Sequence, residues 1–459
     1  MSDYSRRDFL KLTGTGLGAL ALSSLVSFPN IGAEEGINLA ANHDVLQSWK
    51  DLPVGDANSE LINIFEKQGF PRYLDQYPEG SPYNYTFKYG MGTKITGPLS
   101  DIQLKLPFTD YVPVEKGPIL NPDKQYHFGF TTHGLNHPWL VSLADSAQWE
   151  ANRHSNLKIT ILDAQFDEAK MSSQVDRFIS SGMDGILMWP RVKAPTGPPV
   201  TRAVESDIPV VTMDRRSGSD RVTKEIVGNF PANGTQQAMF LIYKLFKEKG
   251  MEEVTKSVES TLEHADEISA NIIMNRKPLG STADAIRTGN FLRVCSHFPN
   301  LSILEMGHTP SDRTKAYQNT SSALMSHNDI DVVFNTGGEE TMGSLRAVQD
   351  AGRMYSAPRS SGDKVLILSN DDSREVVYNI YEGEIDMTAP YTPLLGGLGT
   401  RTMINVLAGN QALPDTLITP DLPMVTQERE DVMNYISLSP QDWWPYCYGQ
   451  TPEENPFSG

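Results

Sequence analysis

The sequence predicts an α/β fold of two doubly wound, Rossmann-like lobes, and three observations carry that reading. From residue 125 onward, short apolar runs alternate with segments of helical spacing. The runs lack a polar face, which suits strands of a parallel sheet covered by helices on both sides. The alternation breaks off after residue 213 and begins again at 270, so the chain holds two such units rather than one long sheet.

The first unit reads as a strand at 126–132, a helix at 139–152, a strand at 158–163 and a helix at 169–181 with Val175, Phe178 and Ile179 inward. A strand at 185–189, a helix at 200–206 and a strand at 208–213 complete it. The second unit reads as strand 270–274, helix 282–298, strand 301–306 and helix 314–326. Strand 331–335, helix 341–351 and strand 364–369 follow. Ligands of such sheets bind outside the carboxyl ends of the strands, so a cleft between two lobes is the expected site.

Composition narrows the function. Of 459 residues, 57 are acidic and 39 basic, a net charge of −18. Nucleic acid is excluded as a partner, because backbone recognition needs clustered cations. With 39% hydrophobic and 21% charged residues, the body is neither disordered nor membrane-embedded. The two cysteines, Cys295 and Cys447, are too few for a disulfide scaffold or a Cys-based zinc site. An oxidising destination would permit a bond between them, and the sequence leaves that open.

The first residues read as an address. Arg6-Arg7, then Phe9-Leu10 and the uncharged stretch 12–33, match a twin-arginine export signal with cleavage near Ala33. The alternative, a short membrane anchor, is weakened by Gly14, Gly16 and Gly18. The same glycines imitate a dinucleotide fingerprint, but no strand precedes them to frame a phosphate turn. Residues 34–123 form an irregular extension with one helix expected at 57–68.

Several stretches together resemble the ribose-type (type I) periplasmic sugar-binding proteins. They are Leu135-Asn136-His137-Pro138-Trp139-Leu140, Ile161-Leu162-Asp163-Ala164-Gln165, the strand running into Asp214-Arg215, Asp312-Arg313, and Tyr391-x-Pro393-x-x-x-Gly397. The resemblance spans about residues 125–428 and implies two lobes joined by a three-crossing hinge near 229–234, 390–393 and 419–423. It implies an N-terminal lobe of 124–231 plus about 391–419, and a C-terminal lobe of 232–390 plus about 420–430. A tail of 431–459 is left over. The implied protein is a monomeric periplasmic solute-binding protein of an ABC importer, with no cofactor and no enzymatic activity. Its implied partners are a sugar, polyol or related small molecule, a permease in the inner membrane, and the twin-arginine export machinery. A sensing module for a membrane receptor and, more remotely, an exported enzyme are the alternatives.

A sugar presents hydroxyls that both donate and accept, and an apolar face of C–H groups, so its site needs polar side chains beside aromatic rings. Asp214 and Arg215 end a strand at the correct edge and offer an acceptor beside a five-donor fork. The resemblance adds Trp139 as a stacking ring, and His137 and Tyr391 where the family has an asparagine and a glutamine. It also adds Asp371 as an acidic ligand position. Asn136 is expected to cap a helix, and Trp189 to belong to the core. Ala285, Ser311 and Gly337-Gly338 depart from the family pattern, with Arg287 two residues beyond Ala285. These departures suggest a rebuilt second lobe and a bulkier ligand than ribose. Glu339 and Glu340 are expected to open a solvated helix, suiting its N-terminal dipole; the other reading is a negative potential favouring a cationic ligand.

Enzyme readings find little support. His127, His133 and His137 lack the spacing of a zinc motif, and neither a Gly-x-Ser-x-Gly elbow nor a phosphate loop is present. Cys295 lies in a helical pattern and is expected to be buried rather than nucleophilic.

Overall fold

The computed structural model describes residues 114–449, except 355–363 and short gaps between 411 and 446. It also describes six residues of the N-terminal extension, namely Leu46, Ser48, Trp49, Leu52, Gly55 and Val112. The export signal and the helix expected at 57–68 lie outside these residues.

Two sheets organise the chain. In the first, β1 (Tyr126–Thr132), β2 (Leu157–Asp163), β3 (Gly185–Trp189), β4 (Val210–Asp214), β5 (Lys224–Val227) and β11 (Thr416–Ile418) lie in the order β11-β5-β4-β3-β1-β2. All its pairings are parallel. Helices α1 (Pro138–Ala151), α2 (Glu168–Ser180) and α3 (Gly197–Glu205) connect the strands. Successive residues of β3 point to opposite faces: Ile186 and Met188 enter one apolar cluster, Leu187 and Trp189 the other. Burial on both faces explains why these strands read as unbroken apolar runs.

The second sheet follows a helix that periodicity did not reveal. α4 (Phe230–Glu248) begins at an Asn229 cap with Pro231 in its first turn. Every residue from Phe230 to Tyr243 is buried. Its buried residues include Asn233, Thr235, Gln236 and Gln237, so no single apolar stripe marks it. After it come α5 (Val258–Glu263), β6 (Ala270–Arg276), α6 (Thr282–Cys295), β7 (Leu301–His308), α7 (Arg313–Ser326), β8 (Val332–Asn335) and α8 (Gly338–Asp350). β9 (Leu366–Asn370), α9 (Arg374–Tyr381), β10 (Met387–Ala389), α10 (Leu395–Leu407), β12 (Met424–Thr426), β13 (Ser437–Leu438) and α11 (Pro440–Trp443) complete the chain. The sheet order is β13-β12-β10-β9-β8-β6-β7, with one antiparallel pair, β10 with β12.

Among the described residues from β1 onward, the chain passes between the sheets three times: from β5 to α4, from β10 to α10, and from β11 to β12. Side chains bind these passages together. Asn233 Nδ2 donates to the carbonyl of Pro390 (3.2 Å), Asn229 N donates to Thr419 Oγ1 (3.3 Å), and Gln236 Nε2 donates to the carbonyl of Leu422 (2.7 Å).

The segment after residue 431 belongs to the second unit. β13 extends its sheet, and Trp443 and Trp444 enter its core. Arg374 N donates to the carbonyl of Tyr448 (2.9 Å). Leu46 and Trp49 pack on the α4 and α6 side of the same unit, and Gly55 N donates to Ser296 Oγ (2.7 Å). Cys295 and Cys447 are free thiols in clusters on opposite faces of the second sheet, so they form no disulfide.

Candidate functional site

The carboxyl ends of both sheets face one cavity of about 310 Å³, at the lower end of the range of about 300–1,000 Å³ usual for small-molecule pockets. The first unit contributes residues after β1, β3 and β4; the second contributes residues after β6, β7, β8 and β9. His137, Trp139, Asp214, Arg215, Asp371 and Tyr391 all line it.

Each unit presents an aspartate at the end of a strand in the left-handed region: Asp214 at φ 71 and Asp371 at φ 73. Aspartate tolerates this conformation better than most residues, and such strain gathers at functional sites. Asp214 Oδ2 accepts from Trp189 Nε1 (2.7 Å) and from Arg215 Nε (3.0 Å), while Oδ1 accepts from the Tyr391 hydroxyl (2.6 Å). Asp371 Oδ1 accepts from Arg287 (3.0 Å), and its Oδ2 accepts from Gly338 N (3.3 Å) and lies 3.9 Å from Lys277 Nζ. Burial alone would raise the Asp371 carboxyl, but the Arg287 and Lys277 cations reverse that and hold it below the ordinary carboxylate range.

Aromatic rings form the apolar wall. Trp139 and Tyr391 stack with centroids 5.6 Å apart and planes 5° from parallel, and Trp139 Nε1 donates to the Tyr391 carbonyl (3.0 Å). Phe230 leans on Tyr391 with centroids 5.2 Å apart and planes tilted by 42°. The approach to Gly228 is close: a Cβ there would fall 2.0 Å from the Tyr391 ring, so only glycine lets the ring settle against this passage. Burial and the neighbouring Asp214 push the Tyr391 hydroxyl well above its ordinary range, so it is a donor at neutral pH.

His137, not Asn136, caps α1: its Nδ1 accepts from Trp139 N (3.1 Å). An accepting Nδ1 leaves the proton on Nε2, where it is a donor. Burial lowers the His137 pKa and keeps the ring neutral. Asn136 is exposed and lines the cavity, because Pro138 begins the helix one residue later than the asparagine cap required.

The two units close over the cavity. Ala283 and Ile286 of α6 share an apolar cluster with Trp139 and Phe230. Gly280, at φ +83, comes so near the first unit that a Cβ on it would lie 2.9 Å from Val192 Cγ1.

Residues 128–411 match the profile of the periplasmic binding protein domain family. The chain belongs to that family. The ribose import binding protein of Bacillus subtilis is 26% identical over 306 residues, 66% of this chain and 88% of that protein. The periplasmic component of the arabinose ABC transporter of Shewanella sp. ANA-3, solved with L-arabinofuranose, aligns with a TM-score of 0.56 at 23% identity. It covers 66% of this chain and 92% of that one. A solute-binding protein of Bacillus halodurans C-125 with bound myo-inositol gives 0.56 at 20% identity, over 68% and 97% of the two chains. The fold is the type I periplasmic binding protein fold.

As a periplasmic binding protein the chain corrects several expectations. Trp189 is no mere core residue, since it lines the cavity and holds Asp214. Glu340 is fully buried, donated to by Lys277 Nζ (3.0 Å), and Glu339 takes a two-pronged contact from Arg313 (2.5 and 3.0 Å). These carboxylates do open α8, but neither stands in solvent as a free negative potential. The volume given up at Gly337 is filled: a Cβ there would lie 2.0 Å from Lys277 Nζ, which removes the argument for a bulkier ligand. Ala285 packs toward the α4 cluster, whereas Ala283 and Arg287 of the same helix reach the cavity.

Lys277, Arg191 and Phe166 line the cavity and were not singled out from the sequence, and Arg287, noted beside Ala285, lines it as well. A signal for Lys277 was present, since Arg276-Lys277 ends β6 as Asp214-Arg215 ends β4. The three histidines weighed as metal ligands serve separate ends. His127 pairs with Thr160 (2.7 Å), His133 contacts Arg191, and His137 caps α1.

Proposed function

We propose that this periplasmic binding protein holds a sugar or sugar-like small molecule between its lobes by hinge closure and delivers it to the permease of an ABC importer in the inner membrane. The observation carrying this reading is the pairing of strand-end carboxylates with stacked rings in one cavity: Asp214 and Asp371 beside Trp139 and Tyr391. Charged acceptors and donors bind hydroxyls strongly, and ring faces cover C–H groups. His137 supplies a neutral donor, and Arg215 a rigid fork. The relatives support the ligand class, since their names specify ribose, arabinofuranose and myo-inositol. The cavity fits a monosaccharide rather than a polymer.

Closure turns the lobes about the passages near 229–234, 390–393 and 419–423, each of which absorbs the change over a few residues. The first lobe then comprises 124–231 with 391–419, and the second 232–390 with 420–430. The paired arginines Arg6-Arg7 support export through the twin-arginine route to the periplasm, with the chain acting as a monomer.

A thermal-shift screen against pentoses, hexoses, polyols, amino acids and nucleosides tests the reading. A sugar or polyol at a hundred times its dissociation constant stabilises the fold by about 2.7 kcal/mol. A shift confined to amino acids or nucleosides refutes the sugar class. A shift with a sugar, combined with failure to restore uptake in cells carrying the cognate permease, refutes the transport role.

A further inference from the structure

Most charged groups lining the cavity stand in ion pairs, and two do not. Asp214 is paired with Arg215, and Asp371 with Arg287. Glu339 is paired with Arg313, and Lys277 with Glu340. Asp312, the remaining lining carboxylate, is exposed and caps α7 by accepting from Lys315 N (2.9 Å). Arg191 follows β3, lines the same cavity, is half-buried, and among the described residues takes part in no ion pair.

Its surroundings hold it in place, and the Glu168 carboxylate attracts it through space without an ion-pair contact. One guanidinium nitrogen lies 3.4 Å from His133 Nε2, and the guanidinium carbon sits 5.5 Å from the centroid of Phe166. Arg215 donates to the Arg191 carbonyl (2.9 Å), which fixes the backbone and sets a second guanidinium beside the first. His133 is fully buried, and burial with the two nearby arginines drops its pKa to about 3, so it stays neutral. Glu168 faces the other nitrogen of that ring, with Oε1 3.7 Å from His133 Nδ1.

We propose, resting on the sugar-binding reading above, that the ligand is an acidic sugar, a uronic or aldonic acid, whose carboxylate seats against Arg191. The planar fork of arginine matches a carboxylate with two parallel hydrogen bonds. Closure strips water from this guanidinium, which is costly unless an anion replaces it. The sugar hydroxyls remain for Asp214, Asp371 and His137.

Calorimetric titration of the purified full chain decides the matter, with D-glucuronate, D-galacturonate and D-gluconate against D-glucose, D-galactose and glucose 6-phosphate. At least one acid should bind tenfold or more tightly than its neutral parent. Arg191→Gln should collapse that ratio to about one, and Arg191→Lys should restore part of it. Circular dichroism and melting of both variants monitor their folding. Neutral sugars binding as tightly as the acids overturn the proposal and leave the sugar reading intact. So does an acid preference that survives Arg191→Gln, while preference for the phosphate overturns the carboxylate assignment. Binding by none of the three classes overturns the sugar reading, and the proposal with it.

Discussion

The Tyr391 hydroxyl donates to Asp214 Oδ1 at 2.6 Å. Tyr391 lies on a passage between the sheets and Asp214 at the end of a first-unit strand, so this bond couples the hinge to the cleft. Any rotation about that passage changes the environment of a carboxylate that lines the cavity.

Tyr391→Phe keeps the ring stacked on Trp139 and removes only the donor. Loss of a bond to a buried charged group costs about 1–3 kcal/mol. Urea unfolding should show that loss of stability. A variant as stable as the wild type would show that the bond contributes nothing net.

Asp214→Ala strands Trp189 Nε1, Arg215 Nε and the Tyr391 hydroxyl at once. Affinity for the best sugar in the screen should fall by about 1–3 kcal/mol, or roughly fivefold to 150-fold. A folded variant that binds unchanged removes Asp214 from the site.

Two glycines should respond differently to alanine. Gly228→Ala drives a methyl into the Tyr391 ring, so melting temperature should drop, with overpacking costing about 1–3 kcal/mol. Gly280→Ala meets Val192 only on closure, so affinity should fall further than its stability, which bears the strain of the left-handed backbone at about 1–2 kcal/mol. Equal losses of stability and affinity at both positions would contradict the closed geometry.

Asp372 gives a pH signature. Its oxygens accept from Trp443 Nε1 (2.9 Å) and Tyr391 N (3.1 Å), yet burial outweighs these bonds and pushes its pKa up to about 7. The unfolded chain loses this proton near pH 4. Between those values the folded state holds a proton that the unfolded state lacks. The group's contribution is therefore complete below about pH 4 and is lost as the pH rises to about 7. Unfolding free energies measured from pH 4 to pH 8 should shift in favour of Asp372→Asn relative to the wild type. Parallel profiles would place the carboxyl outside that window.

Both thiols are buried, and burial raises their pKa values well above the usual range. A thiol reagent should find almost none reactive in the native protein and two after denaturation without reductant. Two thiols appearing only after reduction would contradict the free-cysteine structure.

Strands β1 to β4 and β6 to β9 were legible as apolar runs, as suits a parallel sheet covered by helices, whereas β5 and β10 to β13, two to four residues long, were not. α4 was not legible, since burial on every side leaves no amphipathic signal at Met239, Phe240, Leu241 and Ile242. Within the cavity, Asp214-Arg215 stood out as polar residues at a strand end. Lys277 and Arg287 did not, because their relevance depends on which turn of α6 faces the cleft and on the gap opened by Gly337. Single positions such as Ala285 were misread for the same reason: spacing fixes a helix face only to within about a residue or two.

The late strands carry a consequence for biosynthesis. β11 completes the first sheet at Thr416–Ile418, and β13 completes the second at Ser437–Leu438. Neither lobe can complete its sheet edge on the ribosome until these late residues have emerged, although N-terminal units elsewhere often fold during synthesis. Until then the nascent chain exposes two unfinished sheet edges.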